Sequence, residues 1–331
     1  MCAPVDVYQR TAALRRAAVR ATFAPSVHNT QPWRFELGSG GLVVLADRGR
    51  RLRVLDPTGR QLIISCGCAV FNARVALASS GMGVRVDRFP EVGRPDVLAR
   101  ITALGPVGGG VDRLAVLDGV VELRQTNRRR FSDDEVPVEL IESLERAVVA
   151  EDSLLFVVRS EDDRLAVAAL SRRADEIQAL NPAYRAEVRA WTPGDPRRRD
   201  GVAVMAVPGV DGAAGDEVPI RDFGSHGLGW LPSRTRSSGN QCLVLLGTRV
   251  DTPLGWLRAG EALERMLLEI TRQGFAASPL TQVVEVASVR AVLGEVLGLR
   301  MFPHVLLRVG RAPLTPASRR RRLVDVLVEA P

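Results

Sequence analysis

The chain predicts a mixed α+β fold built from two halves, and three observations carry that expectation. Segments of helical and strand period alternate along its length. Each half contains one long amphipathic helical stripe that stops at glycine and is followed by strand-like runs. The glycine-rich stretch from Gly105 to Gly110 is the natural seam between them. On this basis residues 1–110 form the first half and residues 111–331 the second.

In the first half, Thr11 to Thr22 reads as a short helix, ended by Pro25, which lacks a backbone N–H and clashes with the preceding turn. Phe35 to Ala46 reads as a β-hairpin, its strands parted by Gly38-Ser39-Gly40-Gly41. From about Gly59 to Ser80, Leu62, Cys66, Ala69, Val70, Ala73, Ala76 and Leu77 recur at helical spacing. Gly81-Met82-Gly83 ends that helix, and Val84 to Phe89 and Val97 to Leu104 follow as strands.

The second half opens with helices through Leu114 to Leu123 and Val138 to Val149, then a strand at Leu154 to Val158. Asp162 to Trp191 is mostly helical. From Thr192 to Asn240 the chain is rich in Pro, Gly, Asp and Ser without sustained periodicity. A stretch of that length in a compact domain suits a lid or a disordered insertion. Cys242 to Leu246 returns as a strand, and Leu254 to Gln273 as an amphipathic helix stopped by Gly274. A helix at Ser288 to Leu297 precedes His304 to Val309, expected as the last strand before an arginine-rich tail.

Composition excludes several function classes. With 331 residues, 46% hydrophobic and 25% charged, the chain has the balance of a globular protein rather than a disordered one. Asp6, Arg10, Arg15 and Arg16 interrupt the N-terminus where a signal peptide needs an apolar core. No apolar run approaches the ~20 residues that span a bilayer, so a cytoplasmic location without membrane contact is expected. Four cysteines and three scattered histidines offer neither a disulfide framework nor a metal site, and Cys66 and Cys68, two apart on a helix, point to opposite sides. The net charge of +7 comes entirely from arginine on the basic side. Its runs at Arg128–Arg130, Arg197–Arg199 and Arg319–Arg322 lie far apart and accompany no nucleic-acid-binding motif, so specific nucleic-acid binding is not expected.

The densest segment is Ala24 to Phe35, reading Ala-Pro-Ser-Val-His-Asn-Thr-Gln-Pro-Trp-Arg-Phe. On chemistry alone it is a capped helix end with an anchoring tryptophan. It resembles the flavin-contacting loop of the nitroreductase family, Ala-Pro-Ser-x-x-Asn-x-Gln-Pro-Trp, at every fixed position from Ala24 to Trp33. The rest of the chain is similar to the Acg-type branch of mycobacterial NAD(P)H nitroreductases. Matching stretches are Asp56-Pro57-Thr58-Gly59-Arg60, Ser65-Cys66-Gly67, Arg88-Phe89-Pro90, Arg258-Ala259-Gly260-Glu261 and Leu306-Leu307-Arg308-Val309-Gly310. The resemblance implies a nitroreductase-like fold in which two fused half-units mimic the family's intertwined homodimer. It also implies FMN as cofactor, NAD(P)H as electron donor and a small-molecule electron acceptor. A fused chain no longer needs a partner, so a monomer or weak homodimer is expected.

Four segments would then carry the cofactor. By resemblance Pro25, Ser26, Val27 and Asn29 face the flavin and Gln31 and Trp33 hold the loop; the family fixes no histidine at position 28, so His28 is expected to be solvent-facing or structural rather than catalytic. Arg124-Gln125-Thr126-Asn127-Arg128 is similar to the family's Arg-x-Ser-x-Arg/Lys pattern. It would place Arg124 and Thr126 near phosphate and ribityl and Arg128 near the pyrimidine edge; guanidiniums suit that task because they bind phosphate by bidentate, charge-assisted bonds. Ser278, Pro279, Leu280 and Thr281 correspond to the strand-like loop along the flavin, although Pro279-Leu280-Thr281-Gln282 departs from the Pro-x-Glu-Gly of many active members. Arg308 or Arg311 would supply a second phosphate clamp, with Arg308 favoured. Only the first half has the Pro-Ser loop and only the second has the arginines, so one FMN per chain is expected. No acid–base residue is demanded, because the flavin carries the chemistry. Two function classes follow: a flavin oxidoreductase acting on nitroaromatic or quinone-like acceptors, and an FMN-sequestering protein whose lid over residues 192–240 prevents turnover.

Overall fold

Two 20-residue helices, α2 (Arg60–Ser79) and α6 (Pro253–Arg272), pack against each other at the centre of the computed structural model, which describes residues 7–106, 112–129, 131–192, 194–195, 197–203 and 242–329. Their closest approach is made by Gly67 and Gly260. A Cβ on Gly67 would lie 2.1 Å from the Leu257 carbonyl oxygen, and one on Gly260 would lie 2.0 Å from that of Ile64. Only glycine lets the backbones meet at that distance.

Around this pair the chain repeats one topology. The first half runs α1 (Val7–Ala21), β1 (Trp33–Gly38), β2 (Gly41–Ala46), α2, β3 (Met82–Arg88), β4 (Val97–Pro106). The second runs α3 (Val138–Val149), β5 (Leu154–Val158), β6 (Cys242–Thr248), α6, β7 (Ala276–Pro279), β8 (Phe302–Gly310). The sheet orders correspond strand for strand: β3-β4-β2-β1 in the first half, β7-β8-β6-β5 in the second, all antiparallel. The second half inserts α4 (Glu161–Leu180) and α5 (Pro182–Ala190) between β5 and β6, and α7 (Gln282–Glu285) and α8 (Ala287–Val296) between β7 and β8. The two-unit α+β arrangement is thus visible in the connectivity itself.

The main core lies between the sheets. It joins Val70, Ala73 and Leu77 of α2 to Met266 and Ile270 of α6, with Phe35 and Val44 from one sheet and Val305 and Leu307 from the other. Helix α2 has the length and apolarity to cross a membrane, but it is buried nearly throughout as the central core helix.

Two elements differ from the sequence expectation, and the mostly helical stretch from Asp162 to Trp191 resolves into two helices. Leu114 to Leu123 forms a 3-10 turn over Ala115–Val120 rather than an α-helix; Leu114, Leu117 and Val120 recur every three residues, the period of the tighter helix. The helical stretch after Asp162 breaks at Asn181-Pro182, where the Asn181 side chain caps α5 by accepting from the Ala183 and Tyr184 N–H groups. The strand at β8 is not the last: β9 (Leu327–Glu329) returns to the first sheet and pairs parallel with β1, and three residues are too few to show a period. Of the expected lid over residues 192–240, residues 193, 196 and 204–240 lie outside the described residues.

Candidate functional site

The connection from α1 to β1 is backbone under strain. His28, Asn29 and Gln31 have φ of 50°, 53° and 49°, a left-handed region that non-glycine residues seldom occupy. Such conformations persist where the surroundings over-determine them. Here the buried Gln31 does so: its N–H donates to Ser26 Oγ (2.9 Å), its Nε2 donates to the Arg199 carbonyl (2.7 Å), and its Oε1 accepts from the Arg321 N–H (2.7 Å). Asn29 Nδ2 donates to the Gly201 and Arg319 carbonyls (3.0 and 3.1 Å). Two distant segments, 199–201 and 319–321, therefore hold the loop in shape, while Trp33 anchors it fully buried at the start of β1.

Beside this loop lies a cavity of about 790 Å³, its open mouth included. Pro25, Ser26, Val27 and His28 form one wall. Gln61, Ile64, Ser65 and Cys68 form the floor, spaced i, i+3, i+4, i+7 on one face of α2. The opposite wall is Ser278, Pro279, Thr281 and Gln282 at the end of β7, with Thr126 and Arg128, Leu263 of α6 and Val305 of β8. Thr126 is placed there because the 124–128 segment bridges to the edge of β7 at Ala277, whose carbonyl accepts from the Asn127 N–H (2.9 Å). Two buried amide nitrogens on the lining, Gln61 Nε2 and Gln282 Nε2, find no acceptor among the described residues. Burial holds the Cys68 thiol well above its usual range, so it is a neutral packing group.

A second cavity of about 380 Å³ continues from the first, sharing Pro25, Ser26, Thr126 and Arg128 and adding Asn29, Arg124, Gln125, Val202, Ser318 and Arg320. It is strongly basic. Arg124 is buried, with Nη2 donating to the Phe23 carbonyl (3.3 Å) and Nε 3.5 Å from Glu264 Oε1. Arg320 donates to the same carbonyl (3.3 Å) and to Asn29 Oδ1 (3.2 Å). Burial, reinforced by Arg124, pushes the Arg320 guanidinium down to about 9. Burial pushes the Glu264 carboxyl up to about 7, although Arg124, Asn72 and Arg320 pull it back. A partly apolar chamber with amide donors, opening into a pocket of arginines, suits a flat heteroaromatic ligand carrying an anionic tail.

Of the sequence-predicted residues, the structure brings Pro25, Ser26, Val27, Thr126, Arg128, Ser278, Pro279 and Thr281 to the first cavity and Asn29 and Arg124 to the second. Three others lie elsewhere. Leu280 turns into the cluster of Leu293 and Leu306, its N–H donating to the Leu306 carbonyl (2.8 Å). Arg308 alternates with the core-facing Leu307 and Val309, so it projects from the other face of β8 and stacks over Phe131, 4.3 Å from the ring centroid. Arg311, past the end of β8, stacks over Phe275 at 4.6 Å and borders a separate surface recess. The arginine that joins Arg124 and Arg128 in the basic pocket is instead Arg320, for which the only sequence signal is its place in the Arg319–Arg322 run. Gln61 goes unmarked in the sequence, while Ser65 and Gln282 fall in family-like stretches without being assigned to the site; the helical spacing of Gln61, Ile64, Ser65 and Cys68 is the signal that could have found the floor. His28 is buried on the wall rather than facing solvent.

No protein-family model matches the chain. It is 34% identical over 319 residues to a Mycobacterium tuberculosis protein named "Putative NAD(P)H nitroreductase", covering 95% of this chain and 90% of the relative. It is 30% identical over 327 residues to acg of the same organism, given the same name, with 97% of each chain covered. Among solved structures, the FMN-dependent nitroreductase NfnB from Mycobacterium smegmatis in complex with NADPH is similar at a TM-score of 0.39 and 17% identity, covering 64% of this chain and 97% of that one.

Proposed function

The chain belongs to the nitroreductase family, and from that premise we propose that it is an FMN-dependent NAD(P)H oxidoreductase acting on nitroaromatic or quinone-like small molecules. The observation that carries the reading is the continuity of the two cavities, amide donors at one end and arginines at the other. Arg124 and Arg320 would hold the phosphate, with Thr126 and Asn29 towards the ribityl chain. Pro25, Ser26, Val27, Ser278 and Pro279 would border the ring. Gln61 and Gln282, whose buried nitrogens have no acceptor among the described residues, suit its oxygen and nitrogen edge. Arg128 supplies positive charge on the same wall. Bound there, FMN would supply the hydride- and electron-transfer chemistry, and the task of the residues named would be binding, orientation and electrostatics.

A second reading, cofactor sequestration, has one observation in its favour. The chain around α5 docks beside the cofactor loop: Tyr184, Val188 and Val202 pack with Leu52 and Leu55 and against Val27, and Val202 borders the basic pocket. Anaerobic mixing of the flavin-loaded protein with NADH or NADPH separates the two. Rapid bleaching of the flavin absorbance is the expected result. A flavin that dithionite reduces but neither nucleotide bleaches would overturn the oxidoreductase reading in favour of sequestration.

A further inference from the structure

Glu264 is a fully buried carboxylate in the middle of α6, among Leu263, Met266, Leu267 and Leu268; the helix's other fully buried carboxylate, Glu261, is held by Arg74 and Arg88. A buried charge is expensive unless well paired. Among the described residues the one ionic contact of Glu264 is the 3.5 Å approach of Arg124 Nε, longer than a hydrogen bond. The groups facing it are Arg124 from the segment after the 3-10 turn, Arg320 from the C-terminal segment, and Asn72 and the Cys68 thiol from α2. Cys68 is neutral, so the charge in this buried cluster is set by two guanidiniums and one carboxylate. Both arginines also line the basic pocket.

We propose that Glu264 is the proton-holding group behind the phosphate clamp, so that capture of a phosphate-bearing flavin is coupled to uptake of one proton by its carboxylate. The inference rests on the FMN reading above and deepens it. With Glu264 ionised, the buried cluster carries a net charge of +1, which by itself compensates half of a phosphate dianion; the half-buried Arg128 on the same pocket adds to it equally in either state of Glu264. With Glu264 protonated, the cluster carries +2 and the buried assembly is neutral. The dianion also repels the carboxylate through the arginines they share, which favours the acid form. The proton comes from solvent and stays on the carboxyl group; no other bond changes. Protonated Glu264 is compatible with its surroundings because the adjacent Asn72 is a buried amide with both donor and acceptor capacity.

The sign follows from linkage: uptake of a proton on binding makes affinity fall as pH rises, by up to about tenfold per pH unit for one proton. In the apoprotein burial already lifts the carboxyl to about 7, so the fall begins there. Arg320, pushed down to about 9, remains mostly cationic to about pH 8.5. The free phosphate is already a dianion above its own value near 6. The window for measurement is therefore pH 7 to 8.5.

The test is FMN titration of the apoprotein across that window, for the wild type and Glu264→Gln, with riboflavin as the ligand that lacks phosphate. The expected result is a wild-type FMN affinity that falls about tenfold or more from pH 7 to 8.5. Glu264→Gln should stay flat and bind more tightly than wild type at pH 8.5, and riboflavin should show neither effect. An FMN affinity weakened by the same factor at every pH in the variant would make Glu264 a structural support for Arg124 and overturn the proposal. Should the variant fail to fold, calorimetry of wild-type FMN binding at pH 7.5 in buffers of different ionisation enthalpy counts the protons directly. Uptake approaching one proton for FMN and none for riboflavin supports the proposal, and no uptake with FMN overturns it. Failure of the FMN reading looks different: neither flavin binds the wild type at any pH.

Discussion

Arginine placement is where single residues decide the chemistry. Arg124 and Arg308 are both almost fully buried and both sit in stretches similar to a flavin-binding family. Arg124 opens into the basic pocket, whereas Arg308 stacks on Phe131 behind the sheet. Replacing Arg124 with alanine should weaken FMN binding by about 1.5–3 kcal/mol, the scale of a hydrogen bond to a charged group. Arg308→Ala should leave FMN affinity within about twofold and lower thermal stability instead, because it removes a buried packing group. Fluorescence titration alongside thermal denaturation checks both. Equal loss of FMN affinity in the two variants would return Arg308 to the clamp. The difference between them is invisible in sequence, since it depends on which face of β8 residue 308 occupies.

At the scale of elements, the crossing of α2 and α6 is the tightest requirement in the molecule. At Gly67 and Gly260 an added methyl group meets backbone on the partner helix, which cannot rotate aside. Gly67→Ala is therefore expected to destabilise the protein by about 2–4 kcal/mol, at or above the usual scale of overpacking. Gly93→Ala, where no atom lies within 4 Å, is the matched control. A urea midpoint unchanged by Gly67→Ala would show that the helices can separate at little cost. Helix existence was legible from the recurrence of apolar residues every three to four positions. The short elements were not: the 3-10 turn at Ala115–Val120 and the three-residue β9 owe their form to what they pack against.

For the whole molecule, the repeated topology raises the question of a second site. The position related to the flavin loop is the α3–β5 connection, which here spans only Ala150 to Ser153. Its Glu151 binds Arg74 of α2 and Arg265 of α6 (2.5 and 2.8 Å). Glu261 of α6 binds Arg74 (2.6 Å) and, with both oxygens, Arg88 at the end of β3 (2.7 Å each). Elements that line a cavity on one side of the helix pair thus close over an ion network on the other. One FMN per chain is the expected stoichiometry, read from flavin released on denaturation against protein concentration. A ratio near two would mean that this network opens to admit a second cofactor.

The sequence by itself determined the periodic helices, the hairpin, the α+β class and the loop from Ala24 to Trp33, because these depend on local spacing and turn chemistry. Through resemblance it also indicated the family. The tertiary structure alone decided which polar groups converge. Arg320 reaches the basic pocket from 196 positions beyond Arg124, and Gln61 and Gln282 come from different halves to line one chamber. It also removed Leu280, Arg308 and Arg311 from the cavity wall. The reason is physical: a motif specifies residue type and spacing, whereas sheet register and helix crossing specify direction, and a ligand is held by side chains that point at it.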